Sequence, residues 1–301
     1  MKDLIYTIIL ILVFSSCHDK IDLGKMSSNG KLVVYCFPCS GDTIAIKVSR
    51  SMPTNTASFD SLKIENVKCT IDDQSLPVFY KGRDDYRLPT YSFYAVGKAS
   101  VGSKVELQIQ AKGLPVVSSV AILPPIPEIT KTDIDTVYSK GEWFTQLKLT
   151  FKNPHERACY AVRVIRVEQY QDETNERIMP LNVDGEPLLN NNSDSNVDFD
   201  TSNDYYHDMY VFDNSQIADS AYTLHLNVQH SAYAQCYRAQ LFRITSDYFK
   251  FLKSINDIEN NSMSNYGMSL MTPTFTNIAN GIGILGAYSI AETEWLGKIK
   301  I

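Results

Sequence analysis

Apolar and polar residues alternate with a period of two along much of this chain, the spacing of strands that bury one face of a sheet. Val105, Leu107, Ile109 and Ala111 take one face while Glu106, Gln108 and Gln110 take the other. Ile44, Ile46 and Val48 repeat the pattern against Thr43 and Lys47. About seven such segments fit between Lys31 and Leu123, with turn chemistry at Asp72-Asp73 and Lys112-Gly113 between them. Short strands at this density predict an immunoglobulin-like β-sandwich over residues 30–125, although the cysteine and tryptophan signature of antibody domains is missing. Pro124, Pro125 and Pro127 follow. Proline has no N–H for a ladder, so this cluster is expected to be an interdomain hinge.

Residues 126–301 read as a second β-rich domain. Leu147, Leu149 and Phe151 alternate, Asn153-Pro154 supplies a turn, and Tyr160 to Tyr170 runs on as a strand. A polar loop occupies Asn190 to Asn214. Tyr222, Leu224, Leu226 and Val228 then alternate with Thr223, His225, Asn227 and Gln229, and Tyr237 to Ile244 is expected to be the partner of that strand. Tyr248, Leu252 and Ile255 fall at i, i+4 and i+7 behind Ser246, a residue able to cap a first turn, so the spacing predicts an amphipathic helix near 246–258 lying on the sheet. No internal repeat of fixed period is visible. The fold class is therefore mainly β: an N-terminal immunoglobulin-like sandwich followed by a second β-rich domain with one helix.

The start of the chain has a different pattern. Lys2 precedes an apolar run from Leu4 to Phe14, broken only by Tyr6 and Thr7, that ends at Ser15, Ser16 and Cys17. The layout is that of a signal peptide over residues 1–16, and the run is far shorter than the roughly 20 residues a membrane-spanning helix needs. Two small residues before a cysteine fit lipoprotein processing, with Cys17 acylated and left as the new terminus; Phe14 stands where leucine is usual. Multiple acyl chains hold a soluble domain stably at a membrane, and residues 17–29 would be the tether. The expected address is a bacterial envelope membrane, lipid-anchored.

Composition narrows the class further. The net charge of −6 comes with Lys and Arg scattered along the chain, which argues against nucleic acid as a partner. Besides Cys17 there are five cysteines, Cys36, Cys39, Cys69, Cys159 and Cys236. The odd number leaves at least one unpaired. Cys36-Phe37-Pro38-Cys39 has redox or half-zinc-site spacing, but it lies on an apolar run without a second pair or a helix to lower a thiol pKa. A local disulfide, or thiols acting as small buried hydrophobes, suits it better.

Other candidate chemistry weakens on inspection. Gly281-Ile282-Gly283-Ile284-Leu285-Gly286 matches the dinucleotide fingerprint in letters but lacks the following helix and distant acid, so its glycines are expected to permit a bulge or close backbone packing in a terminal strand. Asp194, Asp198, Asp200 and Asp204 gather hard oxygen donors in the polar loop and are calcium candidates, without EF-hand spacing. Tyr205, Tyr206 and Tyr210 are candidate stacking contacts for a sugar or a partner, with ordinary packing as the alternative. The five histidines show no zinc spacing, and on a strand His225 and His230 would face opposite ways. No nucleophile elbow or phosphate loop is present. No cofactor and no enzymatic activity are expected.

Four features carry a family resemblance: the start at Cys17, a strand pair near Lys31 to Ser51, the strand around Phe151 to Val164, and a helix followed by Phe275 to Tyr288, an asparagine, a glycine-rich stretch and Gly-Ala-Tyr. In these the chain resembles the Bacteroidota outer-membrane lipoproteins of the domain-of-unknown-function family 4249. Such proteins are typically encoded beside TonB-dependent transporters. The resemblance therefore implies an accessory lipoprotein of an uptake system, a ligand-capture or transporter-associated module; it carries over no catalytic residue. Asp19 and Asp22 are a faint echo of surface-export signals in that phylum. A structural or adhesive surface protein remains the alternative, because sandwich domains on a lipid anchor serve either purpose.

Overall fold

The computed structural model describes residues 30–51, 62–85, 89–170, 173–189, 205–206, 209–260 and 274–297. Eight strands make up its first part: β1 (Leu32–Cys36), β2 (Gly41–Arg50), β3 (Ile64–Ile71), β4 (Gln74–Ser75), β5 (Val78–Asp84), β6 (Thr90–Ala99), β7 (Lys104–Ala111) and β8 (Val117–Ile122). They divide into two sheets, β1-β2-β6-β5 and β4-β3-β7-β8. The alternation read from the sequence holds: Val105, Leu107, Ile109 and Ala111 are buried, as are Ile44, Ile46 and Val48 from the facing sheet. Each such side chain contributes on the order of 1.5–3 kcal/mol by leaving water. Asp72 and Asp73 both have positive φ, 48° and 66°, and join β3 to β4 through the tight turn whose twist suits a hairpin.

The second part adds β9 (Ile129–Ser139), β10 (Glu142–Lys152), β11 (Cys159–Tyr170), β12 (Glu173–Met179), β13 (Leu181–Asn182), β14 (Tyr205–Tyr206), β15 (Met209–Asp213), β16 (Ala221–Gln229), β17 (Ala234–Ile244), helix α1 (Ser246–Asn260), β18 (Ile282–Leu285), β19 (Tyr288–Glu292) and β20 (Leu296–Gly297). One sheet runs β13-β16-β10-β9; the other runs β14-β15-β11-β17-β19, with β12 on β11 and β20 on β17. Leu147, Leu149 and Phe151 of the first sheet meet Tyr160, Val162, Val164 and Leu241 of the second in one core.

Two expectations about connectivity are corrected. β17 is not the sheet partner of β16: β16 pairs with β10 and β13, while β17 pairs with β11, β19 and β20. The link between β16 and β17 is therefore an arch that crosses from one sheet to the other. Local alternation cannot distinguish an arch from a hairpin, since both leave the period of two intact. The second correction concerns the chain's last segment, read from sequence as part of the second region. β18 instead pairs in parallel with β1 and completes the first sandwich, and Ile278, Leu285 and Ala287 lie in that sandwich's core.

Helix α1 covers the outer face of the second sandwich's larger sheet. Tyr248, Phe251 and Leu252 pack with Cys159, Ala161, Val211, Phe242, Ile244 and Ile284. Its first turn is capped by Thr245, whose Oγ1 accepts the Tyr248 N–H at 3.4 Å, and Ser246 is already inside the helix. The Ser246 cap is thus displaced by one residue, because the strand hands over to the helix at Thr245, where the extended backbone aims a hydroxyl at the third helical N–H.

Chain closure fixes the two sandwiches end to end. The N–H of Gly286 donates to the Cys36 carbonyl (2.9 Å), that of Tyr288 to Pro38 (3.0 Å) and that of Thr245 to Ala287 (3.0 Å). Ser289 Oγ donates to the Pro124 carbonyl at 2.6 Å, so the proline cluster expected as a hinge is tied at its first residue. Asn277 acts as a clasp: its Oδ1 accepts the Leu285 N–H at 2.9 Å while its Nδ2 donates to the Leu285 carbonyl at 3.0 Å. The glycines behind it allow close packing, as read from the sequence. Gly283 has φ +106°, and an added Cβ would stand 2.0 Å from the Val34 carbonyl oxygen; at Gly286 it would stand 2.7 Å from Cγ of Tyr248.

Candidate functional site

The strand registers place three connections at the end of the second sandwich that points away from the first. These are the β9–β10 hairpin at Lys140-Gly141, the tips of β11 and β12 at Tyr170 and Glu173, and the arch at His230–Tyr233. At this end the core rows change character on both sheets. On β10 the inward row runs Phe151, Leu149, Leu147, then Thr145 and Trp143. On β11 it runs Tyr160, Val162, Val164, then Arg166, Glu168 and Tyr170. On β16 the row Leu224, Leu226, Val228 continues to His230, and on β17 Leu241 and Ala239 lead to Tyr237. Four strands exchange aliphatic for polar side chains at one level, so the sandwich opens there into a cleft instead of closing over its core.

The cleft has a volume of about 410 Å³, within the range of small-ligand sites. Ile134, Thr136, Thr145, His230, Ser231 and Tyr237 line it. Thr145 Oγ1 lies 3.1 Å from His230 Nδ1 and 3.3 Å from the Tyr237 hydroxyl. Hydroxyl and imidazole groups both donate and accept, and Thr145 and Tyr237 are buried while His230 is exposed. Above them stand two aromatic pairs: Tyr138 with Trp143 at 5.0 Å between ring centroids, and Tyr170 with Tyr233 at 5.3 Å. All four rings are more than half exposed. The arch binds the pairs together, since His230 N–H donates to the Trp143 carbonyl and Gln169 N–H to that of Tyr233.

Several charges near the cleft are paired. Arg166 Nη2 lies 2.6 Å from Glu168 Oε1, and Nη1 donates to the Gln229 carbonyl at 2.9 Å. Ser231 Oγ donates to the same Glu168. Asp135, on the cleft wall, is paired with Lys148, and Lys140 with Asp184 at 2.6 Å. Arg166 is buried, and its Nε finds no hydrogen-bond partner among the described residues.

A second polar cluster is a structural tie. Glu186 is fully buried; Oε1 accepts from the Tyr222 hydroxyl (2.8 Å) and the Leu188 N–H (3.2 Å), and Oε2 from the His225 N–H (2.8 Å). The carboxylate thereby pins the 183–189 turn to the edge of β16 beside β13. Burial first, then the bond to Glu186, raises the Tyr222 phenol above its ordinary value.

Cys17, Asp194, Asp198, Asp200 and Asp204 lie outside the described residues. Tyr205 and Tyr206 form β14, paired with Tyr210 and Met209. Tyr210 is a core residue: it is buried, its hydroxyl accepts the Leu181 N–H at 2.8 Å and donates to the Leu181 carbonyl at 3.3 Å. Cys36 and Cys39 carry free thiols. Burial, with Cys69 close by, pushes the Cys36 thiol well above its usual range, the reverse of what redox or metal chemistry needs. His225 and His230 do face opposite ways, one toward Glu186 and one into the mouth. The mouth itself escaped the sequence reading, although its signal was present: the inward parity of β10 runs on through Thr145 to a tryptophan.

The mouth and the chain's entry point occupy opposite poles. Gly30, where the described chain begins, leads into β1, and the other end of β1, Cys36 to Pro38, makes the junction. The family model described as "Domain of unknown function (DUF4249)" matches residues 19–294. No curated protein matches the chain.

Proposed function

We propose that this chain, which belongs to the DUF4249 family, is a lipid-anchored accessory protein of a bacterial outer membrane that captures a ligand through the mouth of its second sandwich. The reading joins the signal pattern ending at Cys17 to the polarity of the molecule. An anchor on Cys17 would hold the first sandwich, leaving the mouth at the pole remote from the point of attachment. The single observation that carries it is the mouth itself: four strands switch together from aliphatic to polar residues under a rim of four exposed rings. Exposed large aromatics gathered beside a polar cleft favour a contact role at this end.

Membership of an uptake system is the natural setting for such a module. Mild cross-linking in intact envelopes, followed by affinity isolation and mass spectrometry, is expected to recover a TonB-dependent transporter with the native protein and to lose it with Cys17→Ala. Recovery of abundant porins alone would overturn the uptake reading and favour a structural or adhesive surface role.

A further inference from the structure

The chemistry of the mouth also specifies what kind of molecule it takes. We propose that it binds an uncharged carbohydrate, with pyranose rings stacked on the Tyr138–Trp143 and Tyr170–Tyr233 pairs and a ring end reaching the hydroxyl and imidazole groups below; this rests on the reading of the mouth as a capture site.

Three observations converge on that class. Tyr and Trp offer a large apolar face with a polar edge, and a pyranose offers the matching surface, a face of C–H groups ringed by hydroxyls. Tyr138, Trp143 and Tyr170 continue the inward rows of their strands toward the tips, Tyr233 lies in the arch, and all four rings are exposed, so each pair offers a face on which a flat, half-apolar ring can stack. Second, the cleft floor supplies groups that both give and take hydrogen bonds, Thr145, His230 and Tyr237, with Ser231, Thr136 and Gln235 on the walls. Sugar hydroxyls need partners of both kinds at short spacing. Third, among the described residues Asp135 is the one ionic side chain lining the cleft, and it is paired with Lys148. Arg166 is matched by Glu168 beside it. A site built for a carboxylate, phosphate or amine would present an unmatched charge inside the cleft, and among the described residues none lines it. The volume of about 410 Å³ and the open end suit the terminus of a chain better than an enclosed small metabolite.

The test uses the full chain with malto-, cello-, manno- and galacto-oligosaccharides as neutral probes and oligogalacturonate as the charged comparator. The protein has two tryptophans, Trp143 and Trp295, so a Trp295→Phe background reports the mouth alone by fluorescence, with calorimetry as an independent readout. At least one neutral probe is expected to bind, to shift the Trp143 emission, and to lose about tenfold or more in affinity with Trp143→Ala or Tyr233→Ala, as hot-spot aromatics do. Tyr80→Ala, an exposed ring on the first sandwich, should leave binding unchanged. Binding of none of the neutral probes, equal binding by Trp143→Ala, or preference for oligogalacturonate would overturn the proposal. The envelope isolation separates this failure from failure of the uptake reading: a transporter recovered without any glycan binding sinks the ligand class alone, and glycan binding without a transporter sinks the uptake setting alone.

Discussion

Replacing Gly283 by alanine is expected to destabilise the protein by about 3 kcal/mol or more, near the upper end for single substitutions. Two independent costs meet at this position. The φ of +106° is one that an L side chain rarely adopts, and the new Cβ would be driven to within 2.0 Å of the Val34 carbonyl oxygen. Val34 is the register partner of Gly283 in the parallel pairing of β1 with β18, so relief requires the ladder to part. Parting it would release the edge of the first sheet together with Ile284, which packs under α1. Gly41→Ala is the control, since nothing lies within 4 Å of a Cβ there, and it should change stability by no more than about 0.5 kcal/mol. Urea denaturation of both variants measures the difference directly. Equal midpoints would contradict the role assigned to β18.

The second large effect is expected at Glu186. Truncation to alanine removes the acceptor for the Tyr222 hydroxyl and for the N–H groups of Leu188 and His225, and each buried donor left alone costs about 1–3 kcal/mol. A loss of about 3 kcal/mol or more follows, with Glu186→Gln milder because its amide oxygen keeps one acceptor. The pH dependence gives this tie a signature. The Tyr222 phenol is held above its ordinary value of 10.0 by burial and by Glu186, so the fold favours its protonated form. That contribution is present in full below about pH 10 and is lost as pH rises toward the higher value in the fold. The deficit of Glu186→Ala relative to the native chain should therefore narrow above about pH 10. A deficit independent of pH would mean that Tyr222 is not coupled to Glu186.

Much of the fold was legible in the sequence because it follows from local periodicity. The inward rows Val105 to Ala111 and Leu147 to Phe151 are what a period of two requires, and the helix at Tyr248, Leu252 and Ile255 follows from a period of 3.6. Pairing was less legible. Whether β16 turns back on a neighbour or arches to the opposite sheet depends on the path of His230–Tyr233, and alternation is the same in both cases. The return of Ile282–Leu285 to β1 is a contact between the two ends of the described chain, and no local pattern encodes it. Its trace was chemical: glycines spaced where a Cβ would strike Val34 or Tyr248.

The site was legible only in part, for a related reason. Tyr210 stood out because it sits among polar and aromatic neighbours, yet its hydroxyl is satisfied by both backbone groups of Leu181. Trp143 and Tyr233 drew no attention because they lie far apart in the sequence. They become a site only when two hairpin tips and an arch converge. The informative feature was parity: Trp143 and Thr145 continue the inward face of β10 past the point where aliphatic residues stop.

The central claim is that the mouth, and not the opposite pole, meets the molecule this protein handles. It is tested most directly by placing a photo-cross-linking residue at Tyr233, or at Glu65, exposed at the far end of the first sandwich, and irradiating intact envelopes. The account predicts a discrete adduct from Tyr233 and none from Glu65. Equal adducts from the two positions, or an adduct from Glu65 alone, would contradict it.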